Sequence, residues 1–201
     1  MAGDRTSQRK VALDGAAVVA RARAAAGPDG RLPLPELVGW DPFPFEGELL
    51  VKRLDDPVLP EPPRRGEDGS DCPVCVRPDD DYVWAGERWR LTLPREPAPV
   101  PTVLLEPREH LDLADLDDAM AAELGMLTVR LVRAGEAVPG VARVHTARIG
   151  DGWAHLHVWF TARPEGVLQL RGSCLMDWLD VLPPMPDGEL RAFARHLAAA
   201  L

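Results

Sequence analysis

The chain has 201 residues and a formal net charge of −9, with 32 acidic and 23 basic side chains. This length suits one domain with a substantial core. The charge argues against binding of polymeric nucleic acid, which requires clustered Lys and Arg to neutralise phosphates. No apolar run approaches the ~20 residues that span a bilayer, and no apolar secretory signal follows the N-terminal MAGDRTSQRK. We therefore expect a cytoplasmic protein without a membrane partner, although a small phosphorylated ligand is compatible with this charge.

The first third of the chain is predicted to form one helix and an irregular extension. The stretch TSQRKVALDGAAVVARARAAAG has Thr6 or Ser7 as an N-cap and Gly27 before a proline as its stop, which predicts an amphipathic helix. Residues 28–47 are rich in proline and aromatic residues, and GELLVKRL is typical of a short strand. The segment DDPVLPEPPRRGEDGSD is the best candidate boundary. We expect residues 1–65 to pack on the core as an extension.

Hairpins around one long helix are predicted after this boundary. DYVW and RWRLTL, joined by a turn at AGE, favour two antiparallel strands, and PTVLLEP favours a third. A long helix ending near Gly135 is predicted by apolar residues at helical spacing, namely Leu116, Met120, Leu124, Leu127 and Leu131. VARVHTARI and WAHLHVWFTA then favour two strands around a GDG turn. GELRAFARHLAAAL favours a final helix.

Short turns between these strands exclude parallel crossovers. The sequence therefore predicts an α+β fold, in which an antiparallel sheet carries one long helix on one face, with an N-terminal extension and a C-terminal helix. Residues 66–165 would form the central domain, and residues 166–201 would form the tail and final helix.

Two histidines lie two residues apart in the segment WAHLHVWF. Alternation along a strand predicts that Trp153, His155, His157 and Trp159 share one face, while the apolar residues between them face the core. Packing alone does not require two imidazoles between two indoles. The histidine-bearing face is therefore a candidate functional face.

A CxxC pair, Cys72-Pro-Val-Cys75, lies in a loop rich in Gly, Asp and Pro. Such a pair can place two thiolates on one tetrahedral metal ion. A redox pair would instead favour the N-terminus of a helix, which PVCVRPDDDYVW does not predict. Zinc would need two further ligands, and the candidates are His110, His145, His155, His157 and His196. We expect His196 to be solvated, and Cys174 to be a small core residue.

The segment VLLEPREHLDLADL, followed about 40 residues later by GDGWAHLHVWFTARP, resembles the histidine triad (HIT) superfamily. The resemblance covers roughly residues 70–165. The upstream CPVC resembles the zinc-bearing branch of that superfamily, which includes galactose-1-phosphate uridylyltransferase. The resemblance implies a HIT-like sheet and a homodimer. It also implies a phosphorylated small-molecule substrate, with a nucleotide as the leading candidate.

Residue roles follow from the same resemblance. It implies a structural zinc ion held by Cys72, Cys75, His110 and His155. It implies that His157 is the nucleophile, whose imidazole attacks a phosphorus atom and forms a covalent intermediate. It also implies substrate binding by Arg163 at the end of the motif. Separately, Arg148 is a candidate to replace a polar residue that the family has near the phosphates, and Trp153 or Trp159 is either a stacking partner for a base or a partly buried packing residue.

The third triad position departs from this pattern because it holds Trp159, and an indole cannot act as a general acid at neutral pH. One hypothesis is a hydrolase or nucleotidyltransferase that uses His157. The alternative is a non-catalytic, zinc-stabilised module that binds a nucleotide-like ligand or a protein. A third hypothesis is a purely structural zinc protein in which His157 is merely packed.

Overall fold

The computed structural model describes residues 14–53 and 55–201, and these divide into two compact units. The first comprises residues 14–40 and 45–61, and the second comprises residues 41–44 and 62–201. No helix among the described residues combines the length and the apolar character needed to cross a bilayer.

The first unit contains helix α1 (Gly15–Ala24) and a short 3-10 helix (Glu36–Gly39). The carboxylate of Asp14 caps α1 by accepting a hydrogen bond from the amide of Ala16, so the helix begins later than the Thr6 or Ser7 predicted. Those two residues lie outside the described part of the chain.

The strand predicted for GELLVKRL is wrong for its described residues. Residues 48–53 form no strand, and the side chain of Leu50 is 70% exposed. The carbonyl of Val51 accepts a hydrogen bond from Arg31 Nη1 at 2.9 Å instead of one from a neighbouring strand. An apolar run without a partner strand has no ladder in which to pair its backbone groups.

Five antiparallel strands form the sheet of the second unit. They are β1 (Trp84–Ala85), β2 (Trp89–Thr92), β3 (Thr102–Pro107), β4 (Val141–Ala147) and β5 (Val158–Pro164). Their spatial order is β1-β2-β3-β5-β4, and each neighbouring pair is antiparallel. The predicted α+β fold with an antiparallel sheet is therefore confirmed.

One face of the sheet is covered by two helices, α2 (Asp118–Glu136) and α4 (Asp187–Ala198). Asp117 caps α2 by accepting from the amide of Met120 at 2.7 Å. Gly135, predicted as its end, lies inside the helix, where an added Cβ would be 2.7 Å from Val144 Cγ2. This core contains Trp89, Leu91, Val103, Leu105, Met120, Leu127, Leu131, Leu156, Phe160, Phe193 and Leu197. The long helix is confirmed, and the predicted apolar residues pack on the core, although Leu116 precedes the first residue of α2.

The short helix α3 (Cys174–Leu179) was not predicted. Its N-cap Ser173 makes no capping hydrogen bond, and six residues offer little apolar periodicity. The indole of Trp178 donates to the carbonyl of Pro42 at 2.8 Å, within the second unit. Cys174 is buried with 2% exposure, as expected of a small core residue.

Candidate metal centre and adjoining cavity

Two cysteines and two histidines meet at one corner of the second unit. The ligand atoms of Cys72, Cys75, His110 and His155 all lie within 4.8 Å of one another. Sγ of Cys72 and Sγ of Cys75 are each 3.5 Å from Nδ1 of His155, and Sγ of Cys75 is 3.3 Å from Nδ1 of His110. A tetrahedral zinc ion with its usual bond lengths would separate sulfur from nitrogen by about 3.5 Å. The four residues therefore form a candidate metal site whose spacing fits zinc.

The ligands come from three segments. Cys72 and Cys75 lie in the loop before β1, His110 follows β3, and His155 precedes β5. In the first of these segments, Gly66 and Gly69 have positive φ angles of 72° and 76°. An added Cβ would lie 3.5 Å from the Cβ of Cys72 at Gly66 and 3.6 Å from the ring of His110 at Gly69. Glycine thus allows the left-handed turns that bring this loop against two ligands.

The ring of His155 is oriented by a hydrogen bond on its second nitrogen. Nε2 lies 2.9 Å from the carbonyl oxygen of Pro107, and a carbonyl can only accept, so Nε2 carries the proton in the neutral ring. Nδ1 then presents its lone pair to the two sulfurs. Metal-binding histidines commonly donate their other N–H in this way.

The electrostatics of the corner also suit a cation. Burial lowers the pKa of His155, which favours the neutral ring. Desolvation, together with the neighbouring sulfur of Cys72, raises the pKa of the Cys75 thiol to about 11. Without a cation the Cys75 sulfur would remain a thiol at neutral pH, whereas a dication would balance two thiolates and release their protons.

Strand β5 begins later than the sequence predicts, because Val158 is its first residue. Ala154, His155 and Leu156 are consecutive buried residues rather than alternating ones. Their backbone bonds to other segments: the amide of Ala154 donates to Arg65 at 3.0 Å, and that of Leu156 donates to Leu111 at 2.8 Å. The strand predicted from Trp153 is therefore too long, although Leu156 still belongs to the core while His155 and His157 line the cavity described next.

His157 is half-buried and lines a cavity of about 650 Å³ beside the metal corner. Its Nδ1 lies 2.9 Å from the carbonyl oxygen of His155. Since the carbonyl accepts, Nδ1 carries the proton in the neutral ring, and Nε2 retains a lone pair. All four residues of the predicted functional face line this cavity: Trp153, His155, His157 and Trp159.

The two tryptophans have different surroundings. The ring of Trp159 meets that of His157 edge to face, with centroids 6.3 Å apart and planes at 76°. The ring of Trp153 has the guanidinium carbons of Arg65 and Arg95 at 5.4 Å and 5.3 Å from its centroid. Trp153 thus already engages two cations, whereas Trp159 adjoins the imidazole.

The two predicted substrate arginines lie outside the residues that line the cavity. Arg148 is ion-paired with Asp112, which also pairs with Arg64 at 2.6 Å. Arg163 Nη1 donates to the carbonyl of Pro164 at 3.2 Å. Contacts of Arg148 and Arg163 with substrate stay predictions.

The remaining histidines lie apart from the described metal cluster. His145 is on β4, opposite Thr161 of β5, and burial lowers its pKa. His196 is exposed on α4, with Nε2 donating to the carbonyl of Ala134 at 3.2 Å. The expected exposure of His196 is confirmed.

Sequence reasoning missed one carboxyl group in the cavity. Glu106 is 6% exposed and lines the same cavity as His157. Burial raises its pKa to about 7, against the opposing charges of Arg77, Arg90 and Arg95. The available signal was a single acidic residue in the otherwise apolar segment PTVLLEP, in which every residue from Thr102 to Pro107 is buried.

No family model matches the sequence, and no curated protein does. Solved structures with a related fold include a histidine triad protein from Sinorhizobium meliloti, with 20% identity, 61% of this chain and 92% of that chain covered, and a TM-score of 0.49. A histidine triad protein from Bradyrhizobium japonicum has 23% identity, coverages of 60% and 91%, and a TM-score of 0.48. A Zn-bound histidine triad family protein from Mycobacterium smegmatis has 20% identity, coverages of 59% and 81%, and a TM-score of 0.43. These values assign no family to the chain, so its function is inferred from its own residues.

Proposed function

We propose that this protein is a hydrolase or transferase of nucleotidyl or phosphoryl groups that uses His157 as its nucleophile. The substrate would be a nucleotide or another phosphorylated small molecule. In the first step Nε2 of His157 attacks phosphorus, a phosphorus–nitrogen bond forms, and the bond to the leaving group breaks. Water or a second acceptor then resolves the intermediate.

The observation that carries this proposal is the hydrogen bond between His157 Nδ1 and the carbonyl of His155. It leaves the lone pair on Nε2, which a nucleophilic imidazole needs. The cavity beside His157 is large enough for a small-molecule ligand. Arg77 and Arg95 line the cavity together with acidic side chains, and these two arginines are the candidate contacts for a phosphate.

Zinc is the metal that we propose for Cys72, Cys75, His110 and His155. Two thiolates and two imidazoles in a tetrahedral arrangement match its usual structural sites, and four protein ligands leave no open position for substrate. The ion would hold the chain around His155 in place. That chain includes the carbonyl that orients His157, two residues further on.

One observation favours a non-catalytic alternative. The ring of Trp159 adjoins His157 and lines the cavity, so the residue beside the nucleophile offers one N–H donor and no base. A module of this kind would bind a nucleotide-like ligand by stacking and would leave it intact.

The test is turnover of dinucleoside polyphosphates, nucleoside phosphoramidates and nucleotide sugars by zinc-loaded protein. Replacement of the nucleophile, His157→Asn, should abolish turnover and leave zinc content and thermal stability near those of wild type. His196→Asn, on the exposed face of α4, is the matched control and should retain full turnover. Binding of these compounds by wild type without consumption would support the non-catalytic alternative and contradict the proposed function.

A further inference from the structure

The cavity that holds His157 also contains a buried carboxyl group on the neighbouring strand. Thr102, Leu104 and Glu106 of β3 all line the cavity, whereas Val103 and Leu105 belong to the core on the other face. Trp159 and His157 line the cavity from the side of β5. Glu106 and His157 therefore belong to the same face of the sheet.

The strand register sets how near they are. Leu104 pairs with Trp159, and Leu105 pairs with Val158. Continuing this register by one residue, just beyond the first residue of β5, would bring Glu106 opposite His157. The end of β3 and the segment before β5 stay in contact past the last paired residues, because the side chain of His155 donates from Nε2 to the carbonyl of Pro107 at 2.9 Å. Residues directly opposite each other on antiparallel strands have Cβ atoms about 4.5–5.5 Å apart.

The carboxyl group has unused hydrogen-bonding capacity. Its Oε2 atom is buried and has no hydrogen-bond partner within the described part of the chain. A buried polar atom without a partner is costly and calls for an explanation, such as a ligand that supplies the missing bond.

From this position we propose that Glu106 is the proton donor to the leaving group in the reaction of His157. The inference rests on the function proposed above and deepens it. It also supplies an acid that Trp159 cannot, since the indole has no dissociable proton near neutral pH. Glu106 would contact the leaving-group oxygen, while His157 attacks from the other side of the phosphorus.

Each step balances in atoms and charge. Nε2 of His157 forms its bond to phosphorus as the bond from phosphorus to the leaving oxygen breaks, and the proton of Glu106 passes to that oxygen. In the second step water attacks phosphorus, the phosphorus–nitrogen bond breaks, and the Glu106 carboxylate takes the proton from water. The carboxyl and the imidazole are then restored for another turnover.

The surroundings of Glu106 suit both of its charge states. Burial favours the protonated form and raises the pKa of Glu106 to about 7, near the optimum for proton transfer at neutral pH. The opposing positive charges of Arg77, Arg90 and Arg95 would stabilise the carboxylate once the proton has left, and a side-chain hydrogen bond with Tyr82 acts in the same direction. The other acidic side chains that line the cavity are Glu96, Asp177 and Asp180.

Substrates with different leaving groups test this role. The leaving group of a dinucleoside polyphosphate departs more readily when it is protonated, so on this substrate Glu106→Gln should lower kcat about 100-fold or more. On a nucleoside p-nitrophenyl phosphate, whose leaving group departs as a stable anion, the same variant should lose less than threefold. Glu87→Gln, in the exposed turn between β1 and β2, is the matched control and should match wild type on both. An equal loss of kcat on both substrates would overturn the proposed role.

A binding measurement tests whether Glu106 lies near the phosphate, and it does not depend on turnover. Consumption of neither substrate by wild type would refute the proposed function itself. In either case, adenosine monophosphate should bind wild type more weakly as pH rises through 7, because the carboxylate then repels the phosphate. Glu106→Gln should bind it with at least a threefold smaller change between pH 6 and pH 8. Identical pH dependence in the two proteins would place Glu106 away from the phosphate and overturn the proposal.

Discussion

The candidate metal corner and the cavity beside His157 share one short piece of chain, yet they are built differently. At the corner, Cys72, Cys75, His110 and His155 direct their ligand atoms at one another across less than 5 Å. In the cavity, His157 shares a face with Trp159 and with the carboxyl of Glu106, whose Oε2 atom has no hydrogen-bond partner among the described residues. The ligand atoms of the corner contact one another, whereas the polar atoms of the cavity remain available to a ligand.

Within the segment 155–157, we therefore expect one histidine to serve stability and the other to serve the reaction. His155 is 2% exposed, and both of its ring nitrogens contact the protein: Nδ1 faces the sulfur of Cys72, and Nε2 faces the carbonyl of Pro107. For His157, the described part of the chain shows a hydrogen bond at Nδ1. Substitutions at the corner should therefore lower the free energy of unfolding, whereas substitutions in the cavity should lower activity and leave the protein folded.

The largest expected effect is at the corner. Cys72→Ala should remove bound zinc and lower the free energy of unfolding by several kcal/mol, because metal-binding energy is folding energy in such sites. Metal analysis by mass spectrometry and denaturant unfolding measure the two effects. Cys174→Ala removes another buried thiol that lies outside the cluster, and it should keep its zinc. A metal-free wild type that is as stable as the loaded protein would contradict this account of the corner.

A smaller effect is expected in the cavity, and it depends on pH. The folded-state pKa of Glu106 is raised to about 7 from an ordinary value of 4.5. The protonated form is therefore the one that folding favours, and its stabilising effect is complete below pH 4.5 and is lost as pH rises through 7. By linkage the wild type should lose about 3 kcal/mol relative to Glu106→Gln between these limits.

Denaturant unfolding of both proteins at pH 5, 6, 7 and 8 measures this difference. The candidate metal ligands are the same in both proteins, so the difference between the two curves isolates Glu106. Parallel stability curves for the two proteins would mean that Glu106 is already ionised at pH 5, and would remove the distinction drawn between the cavity and the corner.

Sequence patterns predicted the corner better than the cavity, for physical reasons. A CxxC loop, alternating histidines and the apolar stripe of α2 can each be recognised from the spacing of residues in the sequence. The late start of β5 cannot, since the backbone of Ala154 and Leu156 bonds to Arg65 and Leu111, which are distant in sequence. Glu106 was missed because its significance lies in register with another strand and in burial, neither of which a single acidic letter indicates.

The smallest expected effect tests how closely the loop fits the corner. Gly69→Ala places a Cβ at a φ of 76° and 3.6 Å from the ring of His110, which should cost about 1 kcal/mol of stability and weaken zinc binding. Gly125→Ala lies inside α2 with open space around it, and should instead stabilise by up to about 1 kcal/mol. Thermal unfolding and competition with a chelator measure both changes. Equal zinc affinity in wild type and Gly69→Ala would show that the loop fits loosely.

The proposed function requires that His157 form a bond to phosphorus. Rapid mixing of zinc-loaded protein with a dinucleoside polyphosphate, alkaline quenching and peptide fragmentation by mass spectrometry would locate the adduct directly. We predict a nucleotidyl group on His157, absent from His155 in the same peptide and absent from His157→Asn. Consumption of the substrate with no adduct, or with the adduct on another residue, would contradict the account.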